Sequence, residues 1–258
     1  MDNPTIAIEW FQIIMLAATI AVVALLLHKT RKIHLATYNL VSDAARARKE
    51  TEALFSQIQA LLALERKLSL PEALPPMRGW AGSPDFLLRI ADEIQERKPK
   101  VVMECSSGVS TLVVARCLQI NGKGHVFSLE HDTGYAGATR KLLEKYGLVE
   151  WATVLDAPLV TTHTETPWYR EESIPQGLEP IDMLIVDGPP AAVAPLARFP
   201  ALPLLSSRMA KTALIVMDDA DRDDETEVVK RWLQIFPMLR YTDGHCEKGC
   251  ALLEYNYS

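Results

Sequence analysis

Three things are scarce or missing in this 258-residue sequence, and each removes a class of protein. Positive charge is not in excess. With 27 Lys and Arg against 33 Asp and Glu, the net charge is −6, which argues against nonspecific nucleic-acid binding, since that needs a basic surface. Cysteine is scarce. Cys105, Cys117, Cys246 and Cys250 make no disulfide framework at this length. His245 with Cys246 and Cys250 falls short of the usual four-ligand zinc set, so plain reduced thiols are expected. Finally, no G-x-G-x-x-G occurs and no catalytic Lys/Tyr/His set is evident, which disfavours an NAD-dependent dehydrogenase.

Other absences are local. Thr5 to Leu27 is strongly apolar, and Ile13 to Leu27 contains no charged residue. About twenty such residues, at a helical rise of roughly 1.5 Å each, span a bilayer core. No basic residue precedes Lys29, whereas Lys29, Arg31 and Lys32 follow the apolar run directly. That asymmetry predicts a single-pass anchor with its N-terminus outside and the rest of the chain in the cytoplasm. The segment starts with an acid and ends in LLLHKTRK, which does not suit a cleaved signal. The alternative is a buried core or partner-binding helix. From Ile33 to Leu68 there is neither glycine nor proline, so a long helix is expected. Leu54, Ile58, Leu61 and Leu68 fall on a heptad seam with Glu65, which suggests either a coiled-coil homodimer or an amphipathic stalk against the domain or the membrane. Pro71, Pro75 and Pro76 end it. The expected organisation is an anchor at 1–32, a helical stalk at 33–70 and one folded domain at 71–258.

What is present centres on Pro99 to Asp132. An apolar run, Val101-Val102-Met103, ends in Glu104; a turn of small residues, Cys105 to Gly108, precedes a helical segment from Ser110 to Ile120; a second apolar run, His125 to Leu129, ends in Glu130. Strand, tight turn, helix and strand make a βαβ unit and imply a parallel sheet. The small residues let backbone approach a ligand at a helix N-terminus, and the second acid falls where nucleotide-binding units place the carboxylate for ribose hydroxyls. A nucleoside cofactor is therefore expected.

The rest of the chain continues the pattern. Ser83-Pro84 reads as a helix start running to Arg97, and Tyr135 to Tyr146 as a helix ended by Gly147. Strands are expected at Trp151–Leu155, Ile181–Val186, Ala213–Met217, Arg240–Thr242 and Ala251–Tyr255, and helices around Leu196–Ser207 and Glu225–Phe236. The segment from Pro158 to Pro180 is long for a connection and is expected to act as a lid or substrate-binding loop. Five strands end in an acid: Glu104, Glu130, Asp156, Asp187 and Asp218. Acids at the ends of buried strands must be paired or used, and ligands of open α/β sheets bind at that edge.

Glu104-x-Ser106-x-Gly108, then Ser128-Leu129-Glu130-His131-Asp132, then Ile181 to Val186 followed by Asp187-Gly188-Pro189-Pro190, resembles the class I S-adenosylmethionine-dependent methyltransferases. The likeness covers about residues 74–255 and is nearest to a small bacterial branch that also carries Arg78-Gly79-Trp80-Ala81-x-Ser83-Pro84. It implies an α/β fold with a Rossmann-like, seven-stranded, mostly parallel sheet, helices on both faces and a final antiparallel strand. It implies S-adenosyl-L-methionine as cofactor. Glu104 would orient the methionine end, Ser106, Ser107 and Gly108 would pass close to it, Glu130 would accept from the ribose hydroxyls, His131 would sit beside the adenine and Asp156 would accept from its amine. The family usually has glycine where this chain has Ser106, a strained choice if that position needs positive φ.

Asp187 with Asp218-Asp219 also resembles the Asp…Asp-Asn set of metal-dependent catechol-type O-methyltransferases. That likeness implies Mg²⁺ held by Asp187, Asp218 and Asp219, with Asp187 and Asp219 as catalytic residues. Asp219 replaces the Asn of that group, and Pro190 stands where it carries lysine. His163 is a further candidate base. The expected activity is methyl transfer, as O-methylation of a small-molecule, sugar or lipid-linked acceptor at the cytoplasmic membrane face. The alternative is a non-catalytic, membrane-tethered scaffold with a degenerate methyltransferase fold.

Overall fold

The computed structural model describes residues 4–77, 82–161 and 166–257 of the chain. Arg78 to Ala81 of the bacterial-branch motif and His163 lie outside the described residues. The chain divides into two units, Met1–Phe55 and Ser56–Ser258.

The absence of helix breakers has the expected local result: α1 runs unbroken from Pro4 to Leu68. It is long and apolar enough to cross a membrane. Within the first unit, side chains such as Trp10, Leu16, Ile20 and Leu27 are exposed. Thr19 and Thr30 donate their hydroxyls to the carbonyls of Met15 and Leu26 at 2.8 Å, so these polar groups are satisfied inside the helix itself.

The second unit takes in the last turns of α1, so it begins at Ser56 where the sequence suggested 71. Ala60, Leu64 and Leu68, four residues apart, are buried there, while Leu54 and Ile58 of the expected heptad seam are exposed. Arg116 fixes this helix end, donating from Nε to the Leu68 carbonyl at 2.7 Å and from Nη2 to Ser69 at 2.9 Å. The covered face of these turns therefore differs from a heptad seam because it packs into this chain's own core.

The sheet has seven strands in the order β3 (Ala152–Asp156), β2 (His125–Glu130), β1 (Val101–Cys105), β6 (Ile181–Val186), β7 (Met209–Asp218), β9 (Cys250–Asn256), β8 (Leu239–Asp243). All neighbouring pairs are parallel except those of β9, which runs antiparallel to both β7 and β8. Alternation along the strands serves two cores. Val102, Val126, Met183 and Val216 face a layer that includes Leu64 of α1, Ile90 of α2 (Pro84–Arg97) and Leu112 of α3 (Val109–Asn121). Met103, Leu129, Leu184 and Met217 face the other layer, with Trp232 of α6 (Asp223–Ile235) and Leu202 of the short α5 (Ala201–Leu205). The chain after β2 forms α4 (Thr133–Lys145), started by the Asp132 carboxylate, which accepts from the Gly134 and Tyr135 amides.

Two expectations need correction. The helix placed at Leu196–Ser207 is only α5 plus one 3₁₀ turn, because two prolines, Pro200 and Pro203, fall within that stretch. The long connection after β3 is not a free lid throughout. It carries a two-stranded hairpin, β4 (Leu159–Thr161) with β5 (Pro167–Tyr169), whose Trp168 and Tyr169 are buried in the second core.

Candidate active site

The site lies at the carboxyl ends of β1, β2 and β6, where a cavity of about 590 Å³ opens. That is an ordinary size for a small-molecule or cofactor site. Its floor is the β1–α3 turn. Glu104 sits one residue before the end of β1, in register with Ser128 of β2, so the two side chains share a face. Ser128 donates to Glu104 Oε2 at 2.5 Å and Thr111 of α3 donates to the same oxygen at 2.6 Å. The other oxygen, Oε1, is buried and has no hydrogen-bond partner among the described residues. Burial pushes the Glu104 carboxyl above its usual range, the neighbouring hydroxyls oppose the shift, and the Glu130 charge adds to it.

The chain then turns sharply. Ser106 has φ 118° and Gly108 has φ 149°, both in the region that glycine alone adopts freely. Ser106 is thus strained where the family pattern has glycine. Its amide donates to the Leu129 carbonyl at 3.0 Å, which pins the turn to β2. Glu130, also buried, accepts from the Ser107 hydroxyl at 2.9 Å and from the Asp132 amide at 3.0 Å. These two bonds use different oxygens, so each oxygen keeps a lone pair for a ligand hydroxyl.

Gly188 closes the far wall. A Cβ there would lie 2.6 Å from the Tyr169 hydroxyl and 3.1 Å from the Cys105 carbonyl, so β6 can approach β1 and the hairpin this closely only with glycine. The Tyr169 hydroxyl is buried without a hydrogen-bond partner among the described residues, and burial holds its pKa well above the usual phenol value. It stays a neutral donor.

Ser106, Ser107, Gly108, Glu130, His131 and Asp187 all line this one cavity, with Glu104 behind the floor. Asp156 does not line it. Its side chain is 57% exposed and pairs with Arg140 of α4 at 2.9 Å, so the adenine contact expected of it finds no support in the geometry. Asp218 and Asp219 also lie outside the lining.

The three carboxylates expected to bind Mg²⁺ do converge, with one oxygen of each within 4.8 Å of the others. A guanidinium, however, already stands among them. Arg198, with its side chain 4% exposed, places Nη2 at 3.2 Å from Asp187 and 3.1 Å from Asp219. Arg222 makes a second contact to Asp219 at 3.0 Å. Asp219 therefore spends its carboxylate on two arginines, which speaks against the catalytic role expected of it. Burial and the Asp218 charge raise the Asp187 carboxyl well above its usual range, against the pull of Arg198. Burial, then the Asp219 charge, lift Asp218 to about 6.

Sequence reasoning assigned no role to Arg198 or Tyr169. For Arg198 there was a signal: it is the only charged residue between Asp187 and Arg208, in a stretch otherwise apolar or small. A lone charge in such a stretch must find a buried partner.

A family model described as a methyltransferase domain matches residues 104–220. Among solved structures, the chain is similar to the SAH-bound methyltransferase PaMTH1 from Podospora anserina at 15% identity, covering 77% of this chain and 88% of that one with a TM-score of 0.54. It is also similar to an O-methyltransferase from Bacillus cereus in complex with SAH, at 15% identity, 77% and 91% coverage and a TM-score of 0.52. The O-methyltransferase TomG from Streptomyces achromogenes, involved in tomaymycin synthesis and in complex with SAM, gives 18%, 78% and 89%, and 0.50. No curated protein sequence matches the chain.

Proposed function

We propose that the chain carries a class I S-adenosylmethionine-dependent methyltransferase domain and uses this cavity to transfer a methyl group to an acceptor oxygen, a reading supported by the matching methyltransferase-domain model and the shared fold. The observation that carries the reading is a pair of buried acids with free capacity: Glu130 on the cavity wall with a lone pair on each oxygen, and Glu104 just behind the floor with an oxygen unpartnered among the described residues. That donor set fits an ammonium group and a vicinal diol, the two polar ends of S-adenosylmethionine. When bound, the cofactor supplies an electrophilic methyl group on a sulfonium.

The chain's own residues align and protect. Glu104 anchors the amino-acid end, the strained turn at Ser106 to Gly108 brings backbone against it, and Glu130 fixes the ribose with His131 alongside. Tyr169 donates from the wall beside Gly188. Asp187, on the same wall, would accept the proton of an acceptor hydroxyl, with the bound cofactor supplying the methyl group and departing as its neutral thioether. Its raised pKa makes it a stronger base once ionised. The remaining contribution is in-line alignment and exclusion of water.

The acceptor we favour is a small-molecule, sugar or lipid-linked hydroxyl at the cytoplasmic membrane face, because α1 is apolar enough to span a bilayer and basic residues follow its apolar run. In this organisation 1–32 anchors, the helix to residue 55 acts as a stalk, and two copies pair along its exposed apolar positions. If the full-length chain stays in the supernatant after membranes are pelleted without detergent, the anchor is wrong.

The second reading, a membrane-tethered scaffold, draws on the strained Ser106. Calorimetric titration of the detergent-held full chain with S-adenosylmethionine decides between them. Binding should be measurable, and Ser106→Gly should hold or improve it by relieving a strain of about 1–3 kcal/mol. Silence at millimolar cofactor in both proteins would leave the scaffold standing.

A further inference from the structure

We propose that Arg198 is the resident cation of the Asp187–Asp218–Asp219 cluster, occupying the place of a divalent ion and acting as the positioning residue that holds Asp187 at the cavity wall. Three observations carry this. Arg198 is almost wholly buried, and its guanidinium is engaged from four sides: Nη1 donates to the Asp218 carbonyl at 2.7 Å, Nη2 lies 3.2 Å from Asp187 and 3.1 Å from Asp219, and Nε faces Glu225 at 3.5 Å. Nη2 is equidistant, within a tenth of an ångström, from the two carboxylates that would have to converge on a metal. The backbone that carries it is anchored as well, since Leu202 is buried in the second core and Phe199 packs against that core.

Electrostatics makes the two occupants exclusive. A guanidinium stays protonated at any physiological pH, so it cannot yield its charge to an incoming ion. Mg²⁺ needs near-octahedral oxygens at about 2.0–2.1 Å, and a fixed cation bridging two of the three candidate ligands leaves neither free to turn toward it. Charge need is met as well. Arg198 faces Asp187, Asp218, Asp219 and Glu225, and Arg222 adds a second positive group on Asp219. The consequence for chemistry is that a fixed cation next to Asp187 orients its carboxylate toward the cavity, so no acceptor hydroxyl is acidified by metal coordination.

The positioning half of this inference rests on the proposed role of Asp187. The occupancy half does not, and the experiment separates them. Mn²⁺ is titrated into the full chain in mild detergent and followed by the loss of free-ion paramagnetic signal, for wild type, Arg198→Met and Arg198→Gln, with S-adenosylmethionine binding measured in parallel. Wild type should take up no Mn²⁺ at the cluster, and EDTA should leave its melting temperature unchanged. A folded Arg198 variant should gain Mn²⁺ affinity by roughly tenfold or more, because the uncompensated buried carboxylates then need another cation. Asp187→Asn in the same background should abolish the gain. Mn²⁺ binding by wild type that Asp187→Asn removes would overturn the proposal, as would a folded variant without gain. If Arg198→Met does not fold, Arg198→Gln, which keeps a hydrogen-bonding head, and the wild-type titration still decide. Loss of cofactor binding in wild type would instead strike the proposed function and leave the cation assignment intact.

Discussion

The carboxyl edge of the sheet holds two groups of buried acids that have been neutralised in different ways. Around β1 and β2, Glu104 and Glu130 are met by hydroxyls and an amide: Thr111, Ser128, Ser107 and the Asp132 N–H. Around β6 and β7, Asp187 and Asp219 are met by Arg198, and the chain of Asp218 is held through its carbonyl by the same guanidinium. Neutral donors satisfy some lone pairs and leave others open, with the charge still on offer to a ligand. A guanidinium cancels the charge and fixes the geometry. One half of the edge is therefore built to receive a ligand, and the other half is built to be complete without one.

The largest expected effect tests that contrast directly. Arg198→Met strips the cation from buried carboxylates and should destabilise the second unit by about 3–5 kcal/mol. Glu130→Gln keeps its one oxygen for the Asp132 amide and turns its NH₂ to Ser107, whose hydroxyl can accept, so it should change folding stability by only about 1 kcal/mol, while weakening S-adenosylmethionine by about 1.5–3 kcal/mol through the lost charge-assisted bonds. Urea unfolding of the detergent-held chain, followed by tryptophan fluorescence, measures the first pair; calorimetry measures the second. Equal stability losses in the two variants would erase the distinction between an open half and a closed one.

The open half was far easier to read from sequence than the closed one, for a physical reason. Glu104, Ser106 to Gly108, Glu130 and His131 all belong to one βαβ unit, so short-range spacing fixes where they point. The same holds for Asp187, placed by the end of β6, a strand whose bounds the apolar run Ile181 to Val186 marks unambiguously. Arg198 reaches the cluster through a turn-rich stretch with no periodicity, and its partners come from β6, β7 and α6. Tyr169 enters through a hairpin closed by three-residue strands, too short to leave a pattern. Asp156 is placed outside the cavity for a different reason. Its strand, β3, is the outer one, and the acid meets Arg140 of α4 and solvent where an inner strand would have offered a cavity. Heptad counting picked a different face of α1 from the one the domain covers, since Leu64, outside that seam, packs with Leu68 against α2 and α3 of the same chain.

The smaller effect is a pH dependence read at Asp218 of the closed half. Asp218 accepts from the Asp219 amide at 2.8 Å and is faced by the charges of Asp219, Arg198 and Lys248, yet burial and Asp219 prevail and raise its carboxyl from 3.8 to about 6. A carboxyl raised on folding binds its proton more tightly in the native state than in the unfolded chain. Stability from this group is therefore complete below about pH 4 and is lost as pH rises toward and past 6. At one pKa unit to about 1.4 kcal/mol, the loss has a ceiling of roughly 3 kcal/mol. His125, whose pKa is lowered by burial, acts in the opposite sense, because its native state resists protonation as pH falls. The wild-type profile mixes these with the raised carboxyls of Asp187 and Glu104, so the test is a difference. Asp218→Asn imitates the protonated acid, keeps an oxygen for the Asp219 amide and leaves Arg198 its bond, since Nη1 takes the backbone carbonyl and not the side chain. The variant should match wild type near pH 4.5 and exceed it in stability by pH 7.5. Equal stabilities at both pH values would mean that Asp218 does not titrate in this range, and that Arg198 compensates the whole cluster.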